Sequence, residues 1–289
     1  MSDLIKDATE RKYALGLFVA ADNTFIKPII EAAEEEDSPV IIAGHFDYLK
    51  SHVDVKVFAR TVKTHAENVD IPVVLHLDHG GNLQQILQCI SEGFNSIMFD
   101  GSNLPLYRNI LLTKKVVEVA KALELPVEGE INKIPLDTDI EKLPIPEELM
   151  TEPEEAKRFV EETEIDSLAI AIGQVHRIPK LEGDFHSIRK IGKLNLERIK
   201  MIREVTDVAL CLHGSTHTPD DQIKKAIKLG VSKINIGTAL MTASADSIRR
   251  TFEINPDIFE PDQIKEPSQK KIKEIVKEKM RVIGSAKKW

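Results

Sequence analysis

The stretch Pro72–His79 reads PVVLHLDH, an apolar run that ends in polar side chains. An amphipathic pattern over Leu83–Gly93 follows it after a short gap. A run that is apolar on both faces is typical of a parallel strand covered on both sides, and the second pattern is typical of a helix with one buried face. The stretch therefore predicts one strand followed by one helix of an α/β fold.

The same unit recurs along the chain, which predicts eight strands. These are Ala14–Ala21, Pro39–Gly44, Pro72–His79, Ser96–Gly101, Pro126–Ile131, Ser167–Gly173, Val208–Gly214 and Lys233–Thr238. Predicted helices between them include Phe25–Glu36, Leu83–Gly93, Leu112–Leu123, Pro153–Thr163, Leu196–Val205 and Thr218–Leu229. Eight alternating units predict a closed (β/α)8 TIM barrel. An open doubly wound sheet is the alternative, but no GxGxxG follows the first strand.

The length of 289 residues fits a single TIM-barrel catalytic domain over residues 1–289. A C-terminal helical extension is expected from about residue 260, with its helix near Gln269–Val282. We expect it either to close the bottom of the barrel or to pack against a second subunit. The Pro-rich, acidic stretch Lys133–Thr151 predicts a long loop after the fifth strand, of the kind that forms lids or binding loops.

Composition excludes several classes of partner. The net charge of −8 argues against a nucleic-acid binder, although a local pocket can still be positive and bind an anion. No apolar run approaches the roughly 18 residues of a membrane span. Two cysteines and the lack of a signal-peptide pattern predict a cytoplasmic protein.

Polar residues converge on one end of the predicted barrel, where catalytic groups of this fold lie. Three strand ends carry a histidine: His79, His176 and His213. Three imidazole ligands with one open position are typical of a catalytic zinc site. The alternative is that each histidine is a hydrogen-bonded residue near the core, but three at equivalent strand ends, with carboxylates nearby, favour a metal.

Asp78 precedes the first of these histidines and is interpreted as a catalytic acid. A helix cap is the alternative, but Gly80-Gly81-Asn82 separates Asp78 from the next helix. Strand alternation turns Asp78 away from His79 unless the strand has ended there. His45 and His217, just after strands two and seven, are expected to contact the pocket. Lys233 stands at the start of the last predicted strand, on the wrong side for an amine nucleophile.

These motifs together resemble those of the class II, metal-dependent ketose-bisphosphate aldolases, which act on fructose or tagatose bisphosphate. The similar segments extend from Tyr13 to Gly284, and as a set they are specific. They are His76–Gly80, Val127–Ile131, Gly173–His176, Leu212–Thr216 and Lys233–Thr238.

The resemblance implies a role for each matching residue. Asp78 would exchange a proton with the hydroxyl at the bond being cleaved, and His79, His176 and His213 would hold one Zn²⁺ per chain. Asp100 and Glu130 would stand behind the metal or serve as alternate ligands. Substrate contacts would come from Arg177, Lys180, Gly214, Ser215, Thr216, Asn235, Gly237 and Thr238. A monovalent cation beside the substrate and a homodimeric or homotetrameric assembly are also expected.

The chain departs from the family pattern in its substrate half. Arg177, Ser215 and His217 stand where the family has glycines that let backbone N–H groups approach a phosphate. The glycine-rich loop that ends in a glutamate base is replaced, with Thr138 near the position of that base, and Val19 stands where an Asn is usual. We therefore expect weak turnover of fructose 1,6-bisphosphate.

The sequence thus predicts a zinc-dependent aldolase that cleaves a ketose phosphate or related sugar into a dihydroxyacetone-phosphate-like donor and an aldehyde. Another metal-dependent lyase or isomerase working through an enediolate is the first alternative. A catalytically silent barrel used for binding or regulation is the second, and retention of all three histidines and Asp78 argues against it.

Overall fold

The computed structural model describes residues 1–135, 145–175 and 193–289. Eight parallel strands close a barrel in sequence order, each paired with its neighbours and β8 paired with β1. The strands are β1 (Leu15–Val19), β2 (Val40–His45), β3 (Val73–Gly80), β4 (Ser96–Asp100), β5 (Val127–Glu130), β6 (Ser167–Ala169), β7 (Ala209–Leu212) and β8 (Val231–Ile236). The predicted (β/α)8 architecture is confirmed, with strand bounds moved by a few residues.

Helices alternate with the strands and form the outer layer. They are α1 (Ser2–Glu10), α2 (Asn23–Glu35), α3 (Phe46–Tyr48), α4 (Val55–Ala66), α5 (Leu83–Glu92), α6 (Leu106–Lys121), α7 (Pro153–Thr163), α8 (Leu196–Val205), α9 (Asp220–Lys228), α10 (Thr238–Ile254) and α11 (Pro261–Ile283). A π-helical turn covers Leu49–Val53, and 3₁₀ turns cover Glu147–Leu149 and Ser215–His217. Within the described ranges, no helix is both long enough and apolar enough to cross a membrane.

Two helices outside the repeating units have distinct positions. α1 covers the amino-terminal end of the barrel, where Ile5 and Ala8 join the apolar cluster of β1. α11 packs along the outside of β1 and against α2 and α9, burying Val276 and Met280. It therefore completes the ring of helices, whereas α1 covers the barrel bottom, and packing of α11 against a second subunit stays a prediction.

The barrel interior is divided into an apolar side and a polar side. β1 and β2 contribute aliphatic residues such as Leu17 and Ile41, which are fully buried. Glu128 of β5 contacts Lys233 of β8, and because these strands are not neighbours, the contact crosses the interior. The buried polar side chains of the interior therefore come from strands between β3 and β8, whereas β1 and β2 contribute aliphatic side chains.

Candidate active site

A cavity of about 480 Å³ opens at the carboxyl ends of the strands, the end at which TIM-barrel enzymes bind substrate. Its walls come from loops after most of the strands. The described lining residues are Val19, His45, Asp47, Tyr48, Asp78, His79, Asp100, Ser102, Asn103, Glu130, Lys133, Ile134, His213, Gly214, Thr216, Asn235, Gly237, Thr238 and Met241. Polar residues predicted at the ends of β3, β4, β5, β7 and β8 thus meet in one place, and His176 after β6 lies outside the described residues.

A bulge in β3 directs two consecutive side chains into this cavity. Between the pairs Leu77–Ile97 and Gly80–Phe99, β3 has one more residue than β4. His79 lies at this bulge with φ +52°, a conformation that an L-residue adopts rarely and that is common near active sites. Because a bulge re-aims a side chain, Asp78 and His79 both line the cavity.

His79 and His213 lie close enough together to hold one metal ion between them. His79 Nε2 and His213 Nδ1 lie 3.3 Å apart, while the other nitrogen of each ring contacts a carboxylate. Two nitrogens bound at 2.0–2.1 Å to a tetrahedral zinc ion are separated by roughly 3.3–3.4 Å. Ring nitrogens held by carboxylates behind the metal are the usual arrangement around metal-bound histidine. The two imidazoles therefore fit one divalent ion.

The carboxylates behind the rings are Asp100 and Glu128. Asp100 Oδ2 lies 2.7 Å from His79 Nδ1, and its other oxygen accepts hydrogen bonds from the backbone and hydroxyl of Ser102. Glu128 Oε1 lies 2.7 Å from His213 Nε2, with both side chains fully buried. Asp100 thus lies behind the His79 ring and Glu128 behind the His213 ring, and the second of these contacts is not predicted from the sequence.

Glu130 faces both imidazoles from inside the barrel. Its Oε2 lies 3.8 Å from His79 Nδ1 and 3.7 Å from His213 Nδ1, and it accepts no hydrogen bond from the described residues. Burial, and after it the nearby Asp100, raises the pKa of Glu130 to about 8. For His79, burial lowers the pKa, but Asp78 and Asp100 outweigh it and raise that pKa to about 10. This concentration of carboxyl groups around the two imidazoles favours a bound cation.

Asp78 is held by Asn235, the residue expected to contact an enediolate. Asn235 Nδ2 donates to Asp78 Oδ1 at 3.1 Å, and Asp78 is 5% exposed. Burial raises the pKa of Asp78, but His79 and His213 outweigh it and keep that pKa below its usual value. Asp78 is therefore a carboxylate with one oxygen oriented beside the paired histidines.

Lys233 lies directly beneath this site, which corrects the expectation that it is on the wrong side of the barrel. β8 begins at Val231 rather than at Lys233. Lys233 therefore lies two residues inside the strand, and its side chain points into the barrel interior. Its Nζ lies 2.9 Å from Glu128 Oε2 and donates to Asn235 Oδ1 at 2.8 Å. Burial lowers the pKa of Lys233, but Glu128 outweighs it and raises that pKa above its usual value. A lysine held as a cation in this way is a structural charge and not a Schiff-base amine.

The predicted substrate-binding residues separate into three groups. Gly214, Thr216, Gly237 and Thr238 line the cavity together with Asn235. Ser215 is buried and turned away, because its hydroxyl donates to the Asn235 carbonyl at 3.0 Å, so its side chain does not fill the phosphate cradle. Outside the described residues lie the predicted positions His176, Arg177, Lys180 and Thr138 and the side chain of His217.

The cavity also contains residues outside the predicted metal and substrate sets, and some of them were not predicted from the sequence. His45 was expected there and lines it, with its ring centroid 5.8 Å from that of His79. Tyr48, Lys133 and Met241 were not anticipated. The feature of the sequence that could have indicated Lys133 is its position, three residues after Glu130 at the end of β5.

Comparison with known proteins decides the family. The family profile described as "Fructose-bisphosphate aldolase class-II" matches residues 1–288. The chain belongs to this family. The structure agrees, since the fold of the YdjI aldolase from Escherichia coli K12 superposes with a TM-score of 0.84 at 31% identity, covering 99% of this chain and 97% of that one. A fructose-bisphosphate aldolase from Campylobacter jejuni, at 20% identity and a TM-score of 0.79, shares the fold and covers 98% of this chain and 94% of its own.

Curated proteins similar to this chain share one name. The 6-phospho-5-dehydro-2-deoxy-D-gluconate aldolase of Bacillus subtilis is 38% identical over 99% of this chain and 95% of its own length. The protein of the same name from Bacillus licheniformis is also 38% identical, over 99% and 94%. The resemblance read from the sequence is thus confirmed, and the protein is a lyase of the aldolase type. Class II aldolases depend on a metal, and two groups of described residues could hold one: Asp78, His79 and His213, or His79, Asp100 and Glu130.

Proposed function

We propose that this aldolase cleaves 6-phospho-5-dehydro-2-deoxygluconate. Paired imidazoles beside an oriented Asp78 support aldol chemistry, and the relatives that carry this name over nearly the full chain support the substrate. The substrate has a ketone at C5 and a hydroxyl at C3, so a retro-aldol step breaks the C3–C4 bond. The products are dihydroxyacetone phosphate from C4–C6 and 3-oxopropanoate from C1–C3.

We assign the metal as one zinc ion per chain, held by His79, His213 and, from the resemblance, His176. When bound, it would act as a Lewis acid that polarises the C5 ketone and stabilises the negative charge left by cleavage. Zinc suits imidazole ligands, and Asp100 and Glu128 orient two of the rings. Glu130 stands beside both rings as an alternate ligand.

The chain's own groups would move the protons and orient the substrate. Asp78 takes the proton from the C3 hydroxyl as the C3–C4 bond breaks, and C4 of the enediolate then gains a proton, which gives dihydroxyacetone phosphate. In the direction of synthesis C4 loses that proton and Asp78 returns its own to the C3 oxygen. Asn235 holds Asp78 Oδ1 and lies at the cavity wall, where its amide can also contact the enediolate oxygens. These assignments place the acid–base step next to the carbonyl that is polarised.

The two anionic ends of the substrate suit different parts of the cavity. The loops after β7 and β8 contribute Gly214, Thr216 and Gly237, and α10 begins there at Thr238. Backbone N–H groups in these loops and at a helix N-terminus form the usual phosphate site of a TIM barrel. Lys133, from the loop after β5, supplies a cation for the C1 carboxylate.

The substrate assignment predicts a preference that kinetics can measure. We expect kcat/KM for 6-phospho-5-dehydro-2-deoxygluconate to exceed that for fructose 1,6-bisphosphate by roughly 10²-fold or more, since a site built around one polar group rejects its analogues strongly. A coupled assay for dihydroxyacetone phosphate reports both substrates. Lys133→Gln should raise KM for the gluconate, whereas Lys115→Gln, on the exposed face of α6, should not.

Equal turnover of fructose 1,6-bisphosphate would contradict the assignment. It would show that the altered cradle accepts a second phosphate. A zinc-loaded protein that cleaves neither compound would favour the isomerase or the silent barrel.

We also propose a homodimer or homotetramer in the cytoplasm. Over its 17 residues α10 buries only Leu240, and the connection from α10 to α11 exposes large apolar side chains. Ile254 is 85% exposed and Phe259 79%. Apolar side chains clustered at the end of a helical hairpin are typical of a subunit contact. The two cysteines, both free and buried, are compatible with a reducing compartment.

Charged substitutions should weaken this assembly. Ile254→Asp combined with Phe259→Asp is expected to shift the protein to monomers in light scattering coupled to size-exclusion chromatography. Leu123→Asp, at an equally apolar exposed position after α6, is the matched control and should leave the mass unchanged. A wild-type protein that is monomeric at micromolar concentration would exclude the proposed assembly.

A further inference from the structure

A layer of polar side chains fills the barrel directly below the cavity. Its central group is Lys233, whose side chain is fully buried. Glu128 receives four of the contacts in this layer: from Lys233 Nζ, from His213 Nε2, from Cys211 Sγ at 3.1 Å and from Ser167 Oγ at 3.2 Å. Buried charges of this kind are costly unless they are paired and hydrogen-bonded, so their presence here calls for a reason.

One arm of the layer leads from Lys233 to a metal ligand. Lys233 Nζ lies 3.2 Å from Glu128 Oε1 and 2.9 Å from Oε2, and Oε1 lies 2.7 Å from His213 Nε2. Asn235 Nδ2 is also near this ring nitrogen, at 3.1 Å, but the carboxylate contact is shorter and charge-assisted. A carboxylate at Nε2 places the proton there and leaves Nδ1, which faces His79, with its lone pair for the metal.

The second arm leads from Lys233 to the catalytic acid. Lys233 Nζ donates to Asn235 Oδ1 at 2.8 Å, and this contact fixes which way the amide is turned. Asn235 Nδ2 is then directed to Asp78 Oδ1 at 3.1 Å. With the amide reversed, its oxygen would face the Asp78 carboxylate and repel it.

From these contacts we propose that Lys233 is a positioning residue that sets both halves of the active site. Through Glu128 it orients His213 toward the metal, and through Asn235 it orients Asp78 toward the substrate hydroxyl. It touches neither metal nor substrate. The inference rests on the metal site and the acid–base role given under Proposed function, and it adds that one buried cation couples them.

Variants of the two arms are expected to differ in which property they lose, zinc affinity or turnover. Glu128→Gln should weaken zinc binding about 10- to 100-fold, the usual effect of losing a group behind a ligand, and should change the visible spectrum of the Co²⁺-substituted protein. Asn235→Ala should leave zinc affinity within threefold of wild type and lower turnover at saturating zinc. Lys233→Met should show both defects together. Zinc affinity is measured by competition with a chromophoric chelator.

Two further variants separate positioning from mere stability. Cys211→Ala removes a neutral donor to the same carboxylate and should leave zinc affinity and turnover unchanged. The double variant Lys233→Met with Glu128→Gln removes the unpaired buried charge, so its melting temperature should recover toward that of wild type while zinc affinity and turnover stay low. The double variant also serves in place of Lys233→Met if the single variant does not fold.

Two negative results would contradict different proposals. A folded Lys233→Met or double variant with wild-type zinc affinity, Co²⁺ spectrum and turnover overturns the inference and leaves Lys233 a structural charge. Failure of the wild-type protein to bind zinc would instead overturn the proposed metal site. The two failures are distinguishable because the first is measured on a wild-type protein that binds the metal.

Discussion

Removal of divalent metal is expected to lower turnover by roughly 10³-fold or more, because Lewis-acid stabilisation of a developing enolate contributes several kcal/mol and each 1.36 kcal/mol is tenfold. The protein should be dialysed against a chelator, analysed for metal, and assayed before and after zinc is restored. We expect about one zinc per chain at full activity. His79→Ala and His213→Ala should not recover with added zinc, because each removes a nitrogen of the 3.3 Å pair.

Controls make this result specific to the site. His52→Ala changes an exposed histidine near the π-helical turn and should retain full zinc content and turnover. The same assays with and without K⁺ test the monovalent cation that the resemblance implies. Full turnover in protein stripped to a few per cent of its zinc would contradict a metal-dependent step, and a zinc-loaded structure with the His79 and His213 nitrogens more than roughly 5 Å apart would contradict the ligand pair.

Local sequence pattern was sufficient to predict the architecture. Apolar runs such as Pro39–Gly44 alternate with amphipathic helices, and all eight predicted strands correspond to strands of the barrel. Ordering the polar residues by strand end then brought Asp78, His79 and His213 to one cavity, since in this fold the carboxyl ends of all strands share one face. The helices α4 and α10 were not among those predicted, although α4 is amphipathic and buries Val55, Phe58, Ala59 and Val62.

The polar layer beneath the site could not be predicted with the same method, because it depends on contacts across the barrel. Period-two alternation does place Glu128 on the same face as Glu130, and Lys233 on the same face as Asn235. What the sequence lacks is the identity of the partners: β5 and β8 are separated by about a hundred residues and are not neighbours in the sheet. A two-residue error in the start of β8 was enough to place Lys233 at the wrong end of the barrel.

The bulge at His79 is a further limit of pattern reasoning. Strict alternation predicted that Asp78 and His79 face opposite sides, and only the extra residue in β3 and the positive φ of His79 bring both into the cavity. Histidine is more common at positive φ than most residues, but it signals that conformation far less strongly than glycine does. Departures of this kind gather at active sites, where geometry serves chemistry at the expense of regular pairing.

Asp78→Asn is expected to lower turnover roughly 10²- to 10⁴-fold, the range in which a general acid–base group contributes. The amide keeps the size and shape of the carboxylate but cannot take the proton from the substrate hydroxyl. Because the direct ring contacts of His79 and His213 run to Asp100 and Glu128, we expect zinc content to be retained. Zinc content, melting temperature and kcat should be measured on a single preparation.

The competing explanation is that Asp78 only orients its neighbours, and the same measurements separate it from catalysis. Asp78 Oδ1 lies 3.9 Å from His79 Nε2, near enough for its charge to support metal binding. If that were its whole role, Asp78→Asn would lose zinc affinity, and turnover would fall only in proportion and recover at high zinc concentration. Asp100→Asn is the matched control, because it removes a charge behind His79 that the substrate hydroxyl does not need, and it should show that weaker, zinc-reversible behaviour. A zinc-replete Asp78→Asn protein with near-normal turnover would exclude Asp78 from the proton transfer and leave Glu130, Asp100 and Asp47 as the remaining carboxylates that line the cavity.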